Sequence, residues 1–182
     1  MAGQSSAVAA RTGNNPFLRF VAALSTIAGW CSAAMIVAAV AVTCQMIFIR
    51  FVLNGSTVWQ TEAVIYLAIS STLIGLPYVQ RLRGHVNVDL IPLSLTPRAR
   101  YVMAVFTLSV SVLMVALLLW YSCELWHQAF ERNWKSDTVW GVRLWIPYAA
   151  LPVGFGLFML QLIADLVAVV LKIDKPFGLE EA

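Results

Sequence analysis

The sequence predicts an all-α integral membrane protein: four long, tilted transmembrane helices, both termini on the cytoplasmic side, and short amphipathic interfacial segments. Three observations lead there. The 182 residues are 60% hydrophobic and 12% charged, with mean hydropathy +0.80, whereas soluble domains run nearer 25% charged. Four apolar blocks each exceed the ~18–20 residues that cross a bilayer. The segments between them leave little chain for a separate soluble domain.

The elements follow in order. Residues 1–14 are small and polar and read as a disordered cytoplasmic tail. The first apolar stretch is about 30 residues long, well beyond the 7–15 of a signal-peptide core, so it reads as an uncleaved span. Asn15-Pro16 fits a helix start, with Asn as N-cap and Pro at the first helical position. The first span, 20–49, holds no charge. As a straight helix it is ~45 Å long against a ~30 Å hydrocarbon core, so it tilts or projects. Ser25, Gly29 and Ala33 form a small-xxx-small row, and Ala34 and Ala38 a second, of the kind that lets helices approach closely. Arg50 ends the span and Asn54-Gly55-Ser56 makes the turn. Thr57 with Gln60 fits a capping box opening the second span, 58–79, whose end Gly75 and Pro77 loosen. Thr96-Pro97 repeats the cap-and-proline start before the third span, 101–122. Its helical pattern continues through Leu125, Trp126, Ala129 and Phe130. A polar, tryptophan-rich connection precedes the fourth span, 144–171, which Pro147, Pro152, Gly154 and Gly156 interrupt. The membrane domain thus covers 15–175, and 176–182 form a cytoplasmic tail.

Orientation follows from lysine and arginine bias. With the N-terminus inside, Arg11, Arg19, Arg81, Arg83, Arg98, Arg100, Lys172 and Lys175 are cytoplasmic, and Arg50, Arg132, Lys135 and Arg143 are outside. Trp59, Trp120, Trp126, Trp134, Trp140 and Trp145 then fall toward the outer face, and Trp126–Trp145 reads as an amphipathic shelf there.

Glu62 stands at the entrance of the second span, where a carboxylate is a functional candidate. It also lies about one turn inside a helix N-terminus, which favours negative charge. A structural or subunit-interface role leads, ahead of interfacial solvation and of proton or ion transfer, and Arg50 on the same side is its expected ion partner. Asp165, one turn after Gln161, reads as an interhelical hydrogen-bonded contact. The turn Arg81–Asp89 reads as a positive-inside signal that binds anionic lipid headgroups, with a specific docking turn as the alternative. Cys31, Cys44 and Cys123 show no CxxC pair and read as small apolar core residues. His85 and His127 fall on opposite faces, which does not suit a bis-histidine haem, and no HExxH, P-loop or serine triad occurs. No cofactor and no nucleic-acid partner is expected. The span middles are nearly uncharged, unlike the broken polar helices of a self-sufficient transporter.

Several of these residues resemble one family. They are Arg50-Phe51-Val52-Leu53-Asn54 after the first span and Trp59-x-x-Glu62 opening the second, with Gly75 within it. Arg81-x-Arg83-Gly84-His85-Val86-x-Val88-Asp89 follows, then Pro97-Arg98-x-Arg100. Over roughly 17–175 the chain is similar to the small membrane subunit of tripartite ATP-independent periplasmic (TRAP) transporters. Two departures are the longer N-terminal tail and Gln60-Thr61, where relatives often carry an extra acidic residue. The resemblance implies a non-catalytic scaffold in a bacterial inner membrane, partnered by a large elevator-type permease subunit and a periplasmic substrate-binding protein in sodium-coupled uptake of an organic acid. The shelf Trp126–Trp145 is a candidate surface for that binding protein. The competing reading is a stand-alone small transporter or channel using Glu62 and Asp165. A membrane enzyme is disfavoured by the missing histidine and cysteine constellations.

Overall fold

The computed structural model describes residues 15–82 and 96–171. They form α1 (Pro16–Val52), α2 (Val58–Arg81), α3 (Pro97–Glu131), the single turn α4 (Trp145–Tyr148) and α5 (Ala150–Val170). With α4 and α5 taken together, four helical stretches are long and apolar enough to cross a membrane. Among the described residues there is no strand, only one isolated antiparallel bridge in the α3–α4 loop. Both expected tails lie outside the described residues, as do Arg83, Gly84, His85 and Asp89 of the basic turn.

α1 has 37 residues, about 55 Å of helix. It starts at Pro16, whose fixed φ suits the first helical position. The side chain of Asn15 makes no capping bond, so only the proline half of the expected signal operates. At the other end Asn54 adopts φ 48°, and the chain folds back so that the Gly55 N–H donates to the Ile49 carbonyl at 3.1 Å. Asn visits this left-handed region more readily than most residues. The capping box expected at Thr57 is not formed: its side chain makes no cap bond, and Gln60 is instead buried. α3 runs through Glu131, nine residues past the expected span, because Trp126 and Phe130 find packing partners beyond the apolar block. It ends in a Schellman turn around Asn133 (φ 48°), with the Trp134 N–H on the Ala129 carbonyl (3.1 Å) and the Asn133 N–H on that of Phe130 (3.3 Å).

α1, α2 and α5 contact one another, α1 mainly through α2, and α3 packs on α5, giving the order α1, α2, α5, α3. α3 is held almost entirely by α4 and α5. A small apolar cluster of Leu18, Val21, Ala164 and Ala168, backed by Leu160, joins α1 to α5. Elsewhere small residues set the approach. A Cβ on Gly29 would lie 2.5 Å from Cγ of Tyr78, and one on Gly75 2.8 Å from Oγ of Ser32. A Cβ on Gly154 would lie 2.8 Å from the Leu73 carbonyl oxygen. That carbonyl is four residues before Pro77, which has no N–H to bond it. α2 continues through Pro77 to Arg81 rather than loosening there, and α5 presents Gly154 to the carbonyl the proline leaves open.

Two further expectations fail. The row Ser25–Gly29–Ala33 does not continue as expected: Ser25 is buried and Gly29 meets Tyr78, but Ala33 is exposed and Ser32 makes the next contact. Seven residues return to within about 20° of the starting azimuth on an α-helix, whereas eight overshoot by about 80°. Cys31, Cys44 and Cys123, expected in the core, are all exposed. In a membrane the outward side of a helix is as apolar as the inward one, so hydrophobic character does not mark which side is buried in protein.

Candidate functional site

Two hydrogen-bonded carboxylates, Glu62 and Asp165, lie at the two ends of α2. Glu62 is buried at its start. One carboxylate oxygen accepts from the Tyr66 hydroxyl at 2.6 Å, one turn along the same helix. The other accepts from Oγ1 of Thr138 at 2.5 Å, across the α3–α4 loop. Ser136 supports Thr138 from within that loop: its Oγ lies 3.1 Å from Oγ1 of Thr138 and accepts from the Thr138 N–H at 3.3 Å. Glu62 therefore pins the loop to the start of α2. Trp59 packs against Trp140 beside it, ring centroids 6.1 Å apart. Gln60 is buried to 2% exposure, and its Oε1 has no hydrogen-bond partner among the described residues.

The expected ion pair between Glu62 and Arg50 is not formed. Arg50 is exposed on the last turn of α1, where a cation suits the helix dipole, and the carboxylate turns toward Thr138 instead. Asn54 serves the backbone turn described above.

The loop itself is folded. The Ser136 N–H donates to the Val142 carbonyl (2.8 Å) and the Leu144 N–H to that of Trp134 (2.9 Å), with Gly141 at φ 60° in the turn. At its base, Nε1 of Trp126 donates to the Trp145 carbonyl (3.1 Å), and Phe130 lies between the two rings, stacked on Trp126 and edge-on to Trp145. The shelf Trp126–Trp145 is thus a helix end, a pinned loop and a helix start.

At the other end of α2 a hydrogen-bonded chain crosses three helices. Ser25 Oγ donates to Gln161 Oε1 (2.7 Å), and Gln161 Nε2 donates to one oxygen of Asp165 (2.8 Å). Gln80 Nε2 donates to the other (2.9 Å). Arg81 reaches from α2 to α1, donating to the Ala22 carbonyl (2.7 Å) and to the Thr26 hydroxyl. About two turns further inward, Ser32 Oγ donates to the Ser71 carbonyl (2.7 Å). Hydropathy alone did not point to Gln80, Thr26 or Ser32, and nothing in the sequence placed Thr138 near Glu62.

These features define a class: a polytopic helical membrane protein whose in-span polar groups join its own helices, with no group of three metal-binding side chains among the described residues. A family model described as "Tripartite ATP-independent periplasmic transporters, DctQ component" matches residues 39–172. The chain belongs to that family and is the small permease subunit of a TRAP transporter, a transporter component and not an enzyme. No curated protein matches the chain.

Proposed function

We propose that this subunit is a scaffold, with no transport path of its own, that binds the large elevator-type permease subunit in sodium-coupled, binding-protein-dependent uptake of an organic acid. It resides in the bacterial inner membrane with both termini cytoplasmic. The observation that carries this reading is that the polar groups within the spans are spent on ties between this chain's own helices. α1 and α3 each expose large apolar side chains along their length, among them Phe20, Trp30, Phe48, Phe106, Leu113 and Trp120, a surface that suits lipid and a second membrane protein alike. Support also comes from how the acidic groups are used: Glu62 holds the outer loop, and Asp165 joins α5 to α2. Glu62 and Gln80, the partner of Asp165, are separated by 18 positions of α2, about 27 Å along the helix. That distance argues against a shared coupling site and so against a stand-alone transporter. Arg50, Trp59, Arg81 and the turn Arg83-Gly84-His85 through Asp89 are proposed as the elements that present the two ends of the subunit to its partners.

The test is co-expression of this chain with the large subunit and the binding protein. The scaffold reading expects co-purification with the large subunit and sodium-dependent uptake by the reconstituted three-component system only. Uptake in liposomes holding this chain alone would refute it.

A further inference from the structure

One pairing in the α3–α4 loop has no explanation in contacts within the chain. Lys135 and Arg143 face each other across the antiparallel bridge. The flanking bonds run from Ser136 to Val142 and from Leu144 to Trp134. Lys135 and Arg143 therefore occupy a non-hydrogen-bonded pair, in which Cα atoms come within about 4.5 Å and the side chains leave the ladder on the same face. Two like charges directly opposite one another repel. Both residues are exposed, and neither they nor Asp137 form an ion pair with another described residue. Of the other nearby acids, Glu131 lies on α3 with His127 as its neighbour at 3.6 Å, and both oxygens of Glu62 accept hydrogen bonds.

A shared anion turns this repulsion into attraction. We propose that Lys135 and Arg143 form a clasp for the phosphate of an anionic lipid headgroup at the membrane surface. The guanidinium offers two parallel donors to a phosphate, and the ammonium supplies a second charge beside it. The depth fits. The loop connects Glu131, the last residue of α3, to Trp145, the first of α4. Aromatic rings flank it, with Trp126, Phe130 and Trp145 at its base and the Trp59–Trp140 pair alongside. Tryptophan rings favour the headgroup level.

The test uses the full-length chain in zwitterionic detergent, titrated with dioctanoyl phosphatidylglycerol and followed by native mass spectrometry. Dioctanoyl phosphatidylcholine and inorganic phosphate are the comparison probes. The clasp expects phosphatidylglycerol to bind in preference to both. Binding should weaken about fivefold for Lys135→Gln or Arg143→Gln and about twenty-five-fold for the double variant. Arg132→Gln, exposed but outside the bridge, should change it less than twofold. Lys135→Glu replaces the like pair by an opposite one, so it should raise the thermal midpoint of the lipid-free protein while abolishing phosphatidylglycerol binding; that rise also shows the variant is folded. Equal binding of phosphatidylcholine, displacement by inorganic phosphate at matched concentration, or an Arg132→Gln loss equal to that of Lys135→Gln would each overturn the proposal. So would a double variant that binds phosphatidylglycerol normally but no longer captures the co-expressed large subunit, which would assign the pair to an acidic protein surface.

Discussion

Replacing Gly154 with alanine is expected to push α5 away from α2. The added Cβ would lie 2.8 Å from the Leu73 carbonyl oxygen and 2.9 Å from its carbon and Cβ. The first two atoms are backbone, so no rotamer change can relieve the contact. Restoring ordinary separation requires the helices to part by roughly half an ångström along a well-packed seam. Overpacking of this kind costs about 1–3 kcal/mol. Alanine also favours the helix over glycine by about 0.5–1 kcal/mol, which offsets part of the loss. Gly156 supplies the control. It lies two residues along the same helix, and its added Cβ would meet only Cδ1 of Leu119, at 3.9 Å. Gly156→Ala gains the same helical preference without the clash, so the difference between the two variants isolates the packing cost, about 1–3 kcal/mol. Unfolding in rising mole fractions of sodium dodecyl sulfate, followed by circular dichroism, measures it. Matching midpoints for the two variants would refute the close approach of Gly154 to the carbonyl that Pro77 leaves open.

Three further outcomes are expected. Glu62→Ala should release the α3–α4 loop from α2, read as faster amide hydrogen exchange over residues 134–144, and Thr138→Val should produce much of the same increase while leaving the Tyr66 contact intact; protection unchanged in both would count against the pin. Gln161→Leu removes the centre of the Ser25–Gln161–Asp165 chain and should cost about 1–2 kcal/mol in the same detergent unfolding assay, more than Ser25→Ala, which removes only its end. Gly29→Ala should destabilise the α1–α2 contact because the Tyr78 ring must swing aside, whereas Ala33→Leu, on an exposed position, should leave the isolated subunit within about 0.5 kcal/mol of the parent; the reverse order would restore the row Ser25–Gly29–Ala33.

The polar residues show where sequence reasoning stops. Asp165 stood out because a carboxylate in an apolar run demands a partner, and Gln161 was visible one helical turn away. Gln80 was not, because it lies 85 positions earlier and only the parallel packing of α2 against α5 brings it within 2.9 Å of Asp165. Glu62 was legible as a boundary carboxylate, but its partner was misjudged. Arg50 is close in sequence and opposite in charge, whereas the bonds come from Tyr66 and from Thr138 in a distant loop. A buried carboxylate needs donors of good geometry more than it needs a net counter-charge, and an arginine at a helix end is already well placed in water.

The sequence by itself determined the helical membrane class, the number of spans and the family resemblance. Those follow from a property each segment carries alone: an apolar stretch of bilayer length must be helical, because lipid offers its backbone no other hydrogen-bond partners. Only the tertiary structure decided the helix order α1, α2, α5, α3, the exposure of Ala33 and the cysteines, and the two polar ties at the ends of α2. Inside a membrane both sides of a helix can be apolar. Burial against protein is therefore set by close packing at Gly29, Gly75 and Gly154 and by hydrogen bonds between residues far apart in the chain, neither of which hydrophobic periodicity records.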